Sequence, residues 1–562
     1  MSNSDFRLGF ILFIFFLVNS VPVYSDPIKL SVGQNGSTNE TGTMLTHVIN
    51  RSDNGYYVAG LSYDDQVEIG GKVFPGDGGL FFVAKLDGAG QLLWLQRMRY
   101  MAVREIKLAP DGGLLIGGHG QYGDMELGGA ATLVKINDQG GIVWEKRYWG
   151  KDANASIHSI AVDKFGEIVI VGMFSQADLE YPKLSKVSSK FNSDIFMARL
   201  SEAGEPVWAR AFGGERSNYD SLHVGQDSDL SSVLVGSFWN NNITNPYIPL
   251  QGSVDGFMLK VDRGGSVLWG RSFGGCKSKS GISAGNIKPK GIVITQDNEI
   301  GVNGNFTFVG ICEPGDRFVK TTWGSGSFLA KFRGDSSIIW ANGYDLLDAS
   351  SQLIVDKDSN IFFGGGVKAG DAEINKTLLG KQDAFLLRTN GLGKITWSAI
   401  LGGNLSEASV LSVAVNKSGE LVSTGYFENS DLTSPPLKLK GYRDGFIVSS
   451  LLPASPGGGS GSYKEVILST SSESIVLGER LSISVNYNGF SKSLPISVMY
   501  AKHNQNYRSI KSMKTNTSGK SQFTWKPRKS QLTHGGNLMA CIKVKSKETV
   551  CSKQIPVSII KY

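Results

Sequence analysis

The chain has 562 residues, 41% of them hydrophobic and 19% charged, with a net charge of +7. That length allows more than one buried core, and the composition excludes a disordered or collagen-like chain. The 71 glycines against 17 prolines point to many tight turns, and no long helical periodicity follows the N-terminal segment.

Residues 1–25 read as a signal peptide. Arg7 precedes the apolar run Leu8–Val18, which is too short to span a bilayer. Val23 and Ser25 occupy the small-residue positions of a cleavage site before Asp26. The mature chain is therefore expected to be exported, with a secreted or cell-envelope location. No other segment is apolar enough to cross a membrane as a helix.

From there the chain repeats itself. Six strings end in Trp: "GQLLW" at Trp94, "GGIVW" at Trp144, "GEPVW" at Trp208, "GSVLW" at Trp269, "SSIIW" at Trp340 and "GKITW" at Trp397. Each follows an alternating run such as "FFVAKLD" or "DIFMARL" across a short turn, the pattern of a β-hairpin. Between them lie seven copies of a second hairpin, such as "SIAVDKFGEIVIVG" and "SVAVNKSGELVSTG". Each unit thus holds four strands, the pattern of a propeller blade. The seventh unit, "DGFIVSSL" at Asp444–Leu451, lacks its fourth strand, while "IKLSVGQNGS" at Ile28–Ser37 resembles the missing piece. This predicts an all-β fold. A seven-bladed β-propeller would span 26–452, with the N-terminal strand closing the last blade and removing two exposed edges.

The pattern resembles the bacterial seven-bladed β-propeller repeat known as SBBP. "FGG" follows the Trp string at Phe212–Gly214 and Phe273–Gly275, is altered at Tyr148–Gly150 and Leu401–Gly403, and is missing after Trp94 and Trp340. The resemblance implies the fold and no single activity. The Trp residues are expected to pack between blades or on their own hairpin, and the Gly-Gly to adopt backbone angles that other residues resist.

Turns between strands one and two, and between three and four, are tight. The longer connections should share one face, where binding residues concentrate. Loop aromatics there are the candidate contacts: Trp149, Tyr181, Trp239, Tyr247, Trp323, Tyr344 and Tyr442, with Phe427 beside them. Cys276 and Cys312 are expected to form one disulfide on that face. The acidic strings "VDKDSN" and "GQDSDL" lack an EF-hand pattern and read as turns, so no metal is expected. Catalytic motifs are absent and no cofactor is expected. The histidines of the repeats are His47, His158 and His223 in first strands and His119 after a second strand; they could line a central channel but are read as structural. The Asp, Gly and Trp offsets of "KLDGAGQLLW" also resemble the quinoprotein repeat, whose enzymes usually have eight blades and a vicinal cysteine pair, against seven and none here.

Residues 453–462 form a Gly/Ser linker, and 463–562 show short alternating strands in an Ig-like β-sandwich pattern. "CIKVKSKETVC" places Cys541 and Cys551 for a local disulfide. This segment has 16 Lys and Arg against four Asp and Glu, a net of +12, leaving −5 on residues 1–462. A basic domain beside an acidic one suggests docking on an anionic surface, and nucleic acid is not expected for an exported chain.

The function these features predict is non-enzymatic recognition of a protein or glycan by the loop-bearing face. The alternative is an exported propeller enzyme, a hydrolase or lyase before a quinone-dependent oxidoreductase, with its site at the channel mouth. Convergent carboxylates or histidines at that mouth would favour the enzyme.

Overall fold

The protein is described by a computed structural model. It describes residues 29–34, 42–76, 79–120, 129–189, 191–274, 286–307, 325–345, 347–349, 352–356, 358–368, 378–415, 420–451, 465–470, 474–476, 480–488, 494–502, 508–514, 520–528, 533–545, 548–551 and 555–560. The signal-peptide residues, the linker, Cys276, Cys312 and Trp323 lie outside them. The fold is all-β, with no helix among the described residues. Two compact units divide it, Met1–Leu451 and Leu452–Tyr562.

In the first unit β1 (Lys29–Val32) precedes seven strand groups. The first group is β2 (Thr43–Asn50), β3 (Tyr56–Ser62), a small hairpin of β4 (Gln66–Ile69) and β5 (Lys72–Pro75), then β6 (Leu80–Leu86) and β7 (Leu92–Arg97). The second is β8 (Met101–Leu108), β9 (Leu114–Gly120), β10 (Ala131–Ile136) and β11 (Ile142–Tyr148); the third is β12 (Asn154–Val162), β13 (Ile168–Ser175), β14 (Asp194–Leu200) and β15 (Pro206–Phe212). The fourth is β16 (Asn218–Gln226), β17 (Ser232–Trp239), the hairpin β18 (Ile243–Thr244) and β19 (Tyr247–Ile248), β20 (Val254–Val261) and β21 (Val267–Phe273). The fifth is β22 (Asn286–Ile294), β23 (Ile300–Thr307), β24 (Ser325–Phe332) and β25 (Ile338–Asp345). The sixth has a split first strand, β26 (Leu347–Ala349) and β27 (Ile354–Val355), then β28 (Ile361–Lys368), β29 (Gln382–Thr389) and β30 (Ile395–Leu401). The seventh is β31 (Glu407–Val415), β32 (Glu420–Glu428), the hairpin β33 (Leu432–Thr433) and β34 (Pro436–Leu437), and β35 (Arg443–Leu451).

Within each group the long strands pair antiparallel in chain order. β1 supplies the fourth strand of the seventh: Lys29 faces Val448, Leu30 Ile447, Ser31 Phe446 and Val32 Gly445. Ser31 donates to the buried Asp444 carboxylate at 2.7 Å. The first strands β2, β8, β12, β16, β22, β27 and β31 each lie beside the next, and β31 lies beside β2.

The repeated residues have repeated jobs. In six of the groups the first strand carries a β-bulge at the same place, as between Val103 and Glu105 or Ile157 and Ser159. The bulge drives a first-strand carbonyl against the second strand. A Cβ on Gly118, Gly172, Gly304 or Gly425 would overlap the oxygen of Ala102, Ser156, Lys288 or Ser409, which explains the glycine ending those second-strand motifs. The Asp opening the third strand is fully buried at Asp194, Asp255, Asp383 and Asp444, and its carboxylate accepts from two backbone amides of the preceding loop. Burial pushes these carboxyls up at Asp255 and Asp383, and to about 6 at Asp444, against the pull of those amides.

The expected backbone angle is found at Gly274, whose φ is 119°, but not at Gly213, Gly214, Gly402 or Gly403, where that Asp gives another reason for glycine. A Cβ on Gly213 or Gly402 would instead overlap the Asp194 or Asp383 carboxylate, and one on Gly214 or Gly403 the carbonyl of Asn242 or Asp431 in the next group. The two glycines are a double close approach. The Trp residues pack between groups: Trp94, Trp208, Trp269 and Trp340 donate from Nε1 to the Asp138, Arg263, Gly334 and Gly391 carbonyls at 3.0, 2.8, 3.1 and 2.9 Å, each in the three-to-four turn of the following group. In the first six groups a Lys or Arg near the end of the third strand meets turn carboxylates, as in Lys260 with Asp227 at 2.8 Å and Arg199 with Asp163 at 2.8 Å.

In the second unit, β36 (Glu465–Thr470), β38 (Leu481–Asn488) and β41 (Lys520–Trp525) form one sheet. The other contains β37 (Ser474–Val476), β39 (Pro495–Lys502), β40 (Arg508–Lys514), β42 (Thr533–Lys545), β43 (Glu548–Cys551) and β44 (Ile555–Ile560). Leu481, Ile483 and Val485 of the first pack with Ile496, Val498, Leu538 and Ile542 of the second in one apolar cluster. Cys541 stands opposite Cys551 in the register.

Candidate binding site at the first strands

The bulges explain why polar residues gather at the first strands. Each breaks the two-residue alternation, so neighbouring side chains are re-aimed. His47 on β2, Arg104, Glu105 and Lys107 on β8, His158 and Ser159 on β12, and His223 on β16 line one small cavity of about 60 Å³, with Ile292, Gln352 and Leu353 from later groups. Glu105 is buried, 3.8 Å from His47 Nε2 and 3.5 Å from Lys107 Nζ. Ser159 donates to Glu105 at 3.3 Å and accepts from the Val224 amide at 3.2 Å. Ser412 repeats the device, accepting from the Val48 amide at 3.0 Å and donating to Gln352. These bonds tie successive groups together.

Burial pushes all three histidines down. His158 falls to about 4, helped by Arg104 and opposed by Asp220. His223 falls to about 4, with Glu105 opposing. His47 is lowered, again against Glu105. All three are neutral at pH 7. His119 lies elsewhere, at the end of β9, its Nδ1 2.8 Å from the Ala155 carbonyl oxygen.

A larger cavity of about 390 Å³ adjoins this one. It is lined by Arg104, His119, Asn154, Ser156, His158, Met173, Phe174, Ser175, Ser193 and Asp220. Most belong to the end of the sheets from which the longer connections leave. The sequence hinted at it only weakly. In "MAVREIKL" and "ASIHSIAV" polar residues interrupt the apolar run just ahead of the turn, but nothing there predicts a bulge.

The loop aromatics divide. Trp149 and Tyr181 pair as neighbouring backbones, with the Trp149 amide donating to the Tyr181 carbonyl at 2.8 Å. Tyr181 stacks on Tyr148 and donates to Glu205 at 2.6 Å. Gly213 with Asn245 and Gly402 with Ser434 make the same bridge, and each receiving loop carries a cis proline. The turn leaving one group is thus latched by the next group's hairpin. Trp239 ends β17 half-buried, and Tyr247 and Tyr442 are exposed. Tyr344 is not on a loop. It lies in β25, buried against Phe363, because it fills the slot that Phe212 and Phe273 fill in their own groups. Met98 fills it after Trp94, so the aromatic of "FGG" is replaced there rather than missing. Phe427 is likewise core, equivalent to the buried Phe174, Phe238 and Phe306. The acidic strings are turns: Asp227 Oδ1 accepts from the Asp229 and Ser231 amides, and Asp356 Oδ1 from those of Asp358 and Asn360.

No protein-family model and no curated protein matches the chain. Among solved structures, a protein of unknown function from Dyadobacter fermentans is 10% identical, covering 76% of this chain and 99% of its own, with a TM-score of 0.36. A member of the DUF4221 family from Bacteroides vulgatus is 10% identical, covering 65% and 99%, with a TM-score of 0.30. A tetra-tandem repeat from the extending region of a large adhesion protein is 9% identical, covering 91% and 98%, with a TM-score of 0.16. Likenesses at these scores carry no argument for fold or function.

Proposed function

We propose that residues 26–452 form a seven-bladed β-propeller similar to the SBBP repeat proteins, joined to a basic Ig-like β-sandwich, and that the exported chain is a recognition scaffold. The cyclic adjacency of the first strands and the pairing of β1 with β35 support the propeller. The two sheets sharing one apolar cluster support the sandwich, and the register of Cys541 with Cys551 supports a cross-strand disulfide there.

The observation that carries recognition is the polar cavity of about 390 Å³ at the end of the sheets bearing the long connections, with Tyr247 and Tyr442 exposed on those connections. A protein or glycan would bind there, and the basic domain would dock on an anionic surface. The test is binding of the mature chain to whole cells and to a glycan array, with Tyr247→Ala and Tyr442→Ala beside the wild type. Binding that falls in the variants at unchanged circular dichroism supports the reading. An array and cells both left bare overturn it.

A second reading, an exported hydrolase or lyase, is favoured by His119, His158 and Asp220 lining that cavity. Release of reducing ends from a polysaccharide, lost in His119→Ala, would establish it in place of the first.

A further inference from the structure

We propose that the larger cavity, between the second, third and fourth strand groups, is a site for a polyhydroxylated ligand carrying one carboxylate, an acidic sugar residue, with Arg104 as its anion contact. This rests on the recognition reading and names the ligand class it would take.

Arg104 is the bulged residue of β8, extruded from the ladder between Val103 and Glu105. Its side chain is exposed at the cavity, and among the described residues its guanidinium takes part in no hydrogen bond or ion pair. Lys135, Arg199 and Lys260 of the third strands are committed to turn carboxylates, whereas the Arg104 guanidinium is exposed and turned to the concavity. A guanidinium offers a forked donor pair that matches a carboxylate.

The wall opposite supplies the rest. The side chains of Asn154, Ser175 and Ser193 line the same space and are likewise without hydrogen-bond partners among the described residues. An amide and two hydroxyls facing an open space suit ring hydroxyls, each of which both donates and accepts. Asp220 sets the charge limit. It also lines the cavity, with Oδ1 accepting the Ser221 amide at 2.7 Å and Oδ2 3.7 Å from Lys288. A carboxylate already present at the rim disfavours a dianion, so a carboxylate ligand fits better than a phosphate. The volume, about 390 Å³, falls in the range of small-molecule sites and accommodates one sugar ring rather than a flat protein surface.

Free acid in solution and the terminal residue of a polymer offer the same chemistry, and the test separates them. D-glucuronate, an oligoglucuronan, D-glucose and inorganic phosphate are titrated into the full mature chain by calorimetry, with saturation-transfer NMR as a second readout. Saturable glucuronate binding is expected, with glucose and phosphate roughly tenfold weaker or more. Arg104→Ala should lose about tenfold, Arg104→Lys less, and Ser175→Ala a smaller factor. Tighter binding of the oligomer than of the monomer assigns the natural source to a polymer; equal binding assigns it to the free acid.

Glucuronate that does not saturate, phosphate that binds as tightly, or an Arg104→Ala variant that binds like the wild type overturns the site. The recognition reading fails separately. If the wild type binds cells or the array through Tyr247 and Tyr442 and ignores glucuronate, recognition stands and this assignment falls. If glucuronate binds through Arg104 and is then turned over, the site stands and recognition without chemistry falls.

Discussion

The histidines at the first strands make stability depend on pH in a calculable way. An ordinary histidine titrates near 6.5, while His158 and His223 are pushed down to about 4 by burial. Between those values the unfolded chain binds protons that the folded chain refuses. Stability therefore falls as pH drops from about 6.5 towards about 4 and levels off below that. At pH about 5 the linkage amounts to about 2 kcal/mol per ring. Both rings are half-buried and line a cavity, so solvent screens part of the cost; about half, or roughly 2 kcal/mol for the pair, should survive. His47 adds in the same direction. The assay is urea unfolding of the wild type and of His158→Gln/His223→Gln at pH about 7 and about 5, comparing the change in midpoint between the two. The double variant should lose less stability on acidification. Equal losses in both proteins would refute the claim that these rings are forced to stay neutral.

Other outcomes follow from the repeated contacts. Gly402→Ala should cost about 2 kcal/mol or more, because its Cβ would overlap the buried Asp383 carboxylate, while Gly391→Ala, which has open space, should leave the melting temperature unchanged. A chain beginning at Gln34 loses the buried Val32 and half-buried Leu30 and removes the Ser31 hydroxyl from Asp444, so its melting midpoint should fall by the equivalent of roughly 4 kcal/mol. Trp208→Phe keeps the ring but removes the donor to Arg263, at about 1 kcal/mol in a denaturant titration. A non-reduced digest analysed by mass spectrometry should contain the peptide holding Cys541 joined to the peptide holding Cys551, and reduction should separate them with a gain of two hydrogens.

The strand pattern was legible because hairpin turns and apolar alternation are local. The Trp strings and the acidic turns could be placed from spacing. What was not legible depended on register. One extra residue in a first strand re-aims Arg104 and His158, and no residue type marks it. The same bulge creates the close approach that requires Gly172, so the glycine was visible in the sequence and its cause was not. Tyr344 was misplaced because Asp345 and Leu346 follow it where Gly-Gly was anticipated. Its neighbours suggested a loop, while its place four residues after Trp340, as Phe212 follows Trp208, put it in the core.

Ser31 meets Asp444 across 413 residues of chain. β1 thus has no mate until β35, the last strand of the first unit, exists. Through that interval its backbone stays open to any passing edge, and a product truncated before Arg443 would leave both β1 and β32 as adhesive borders. Synthesis through Leu451 is what seals them.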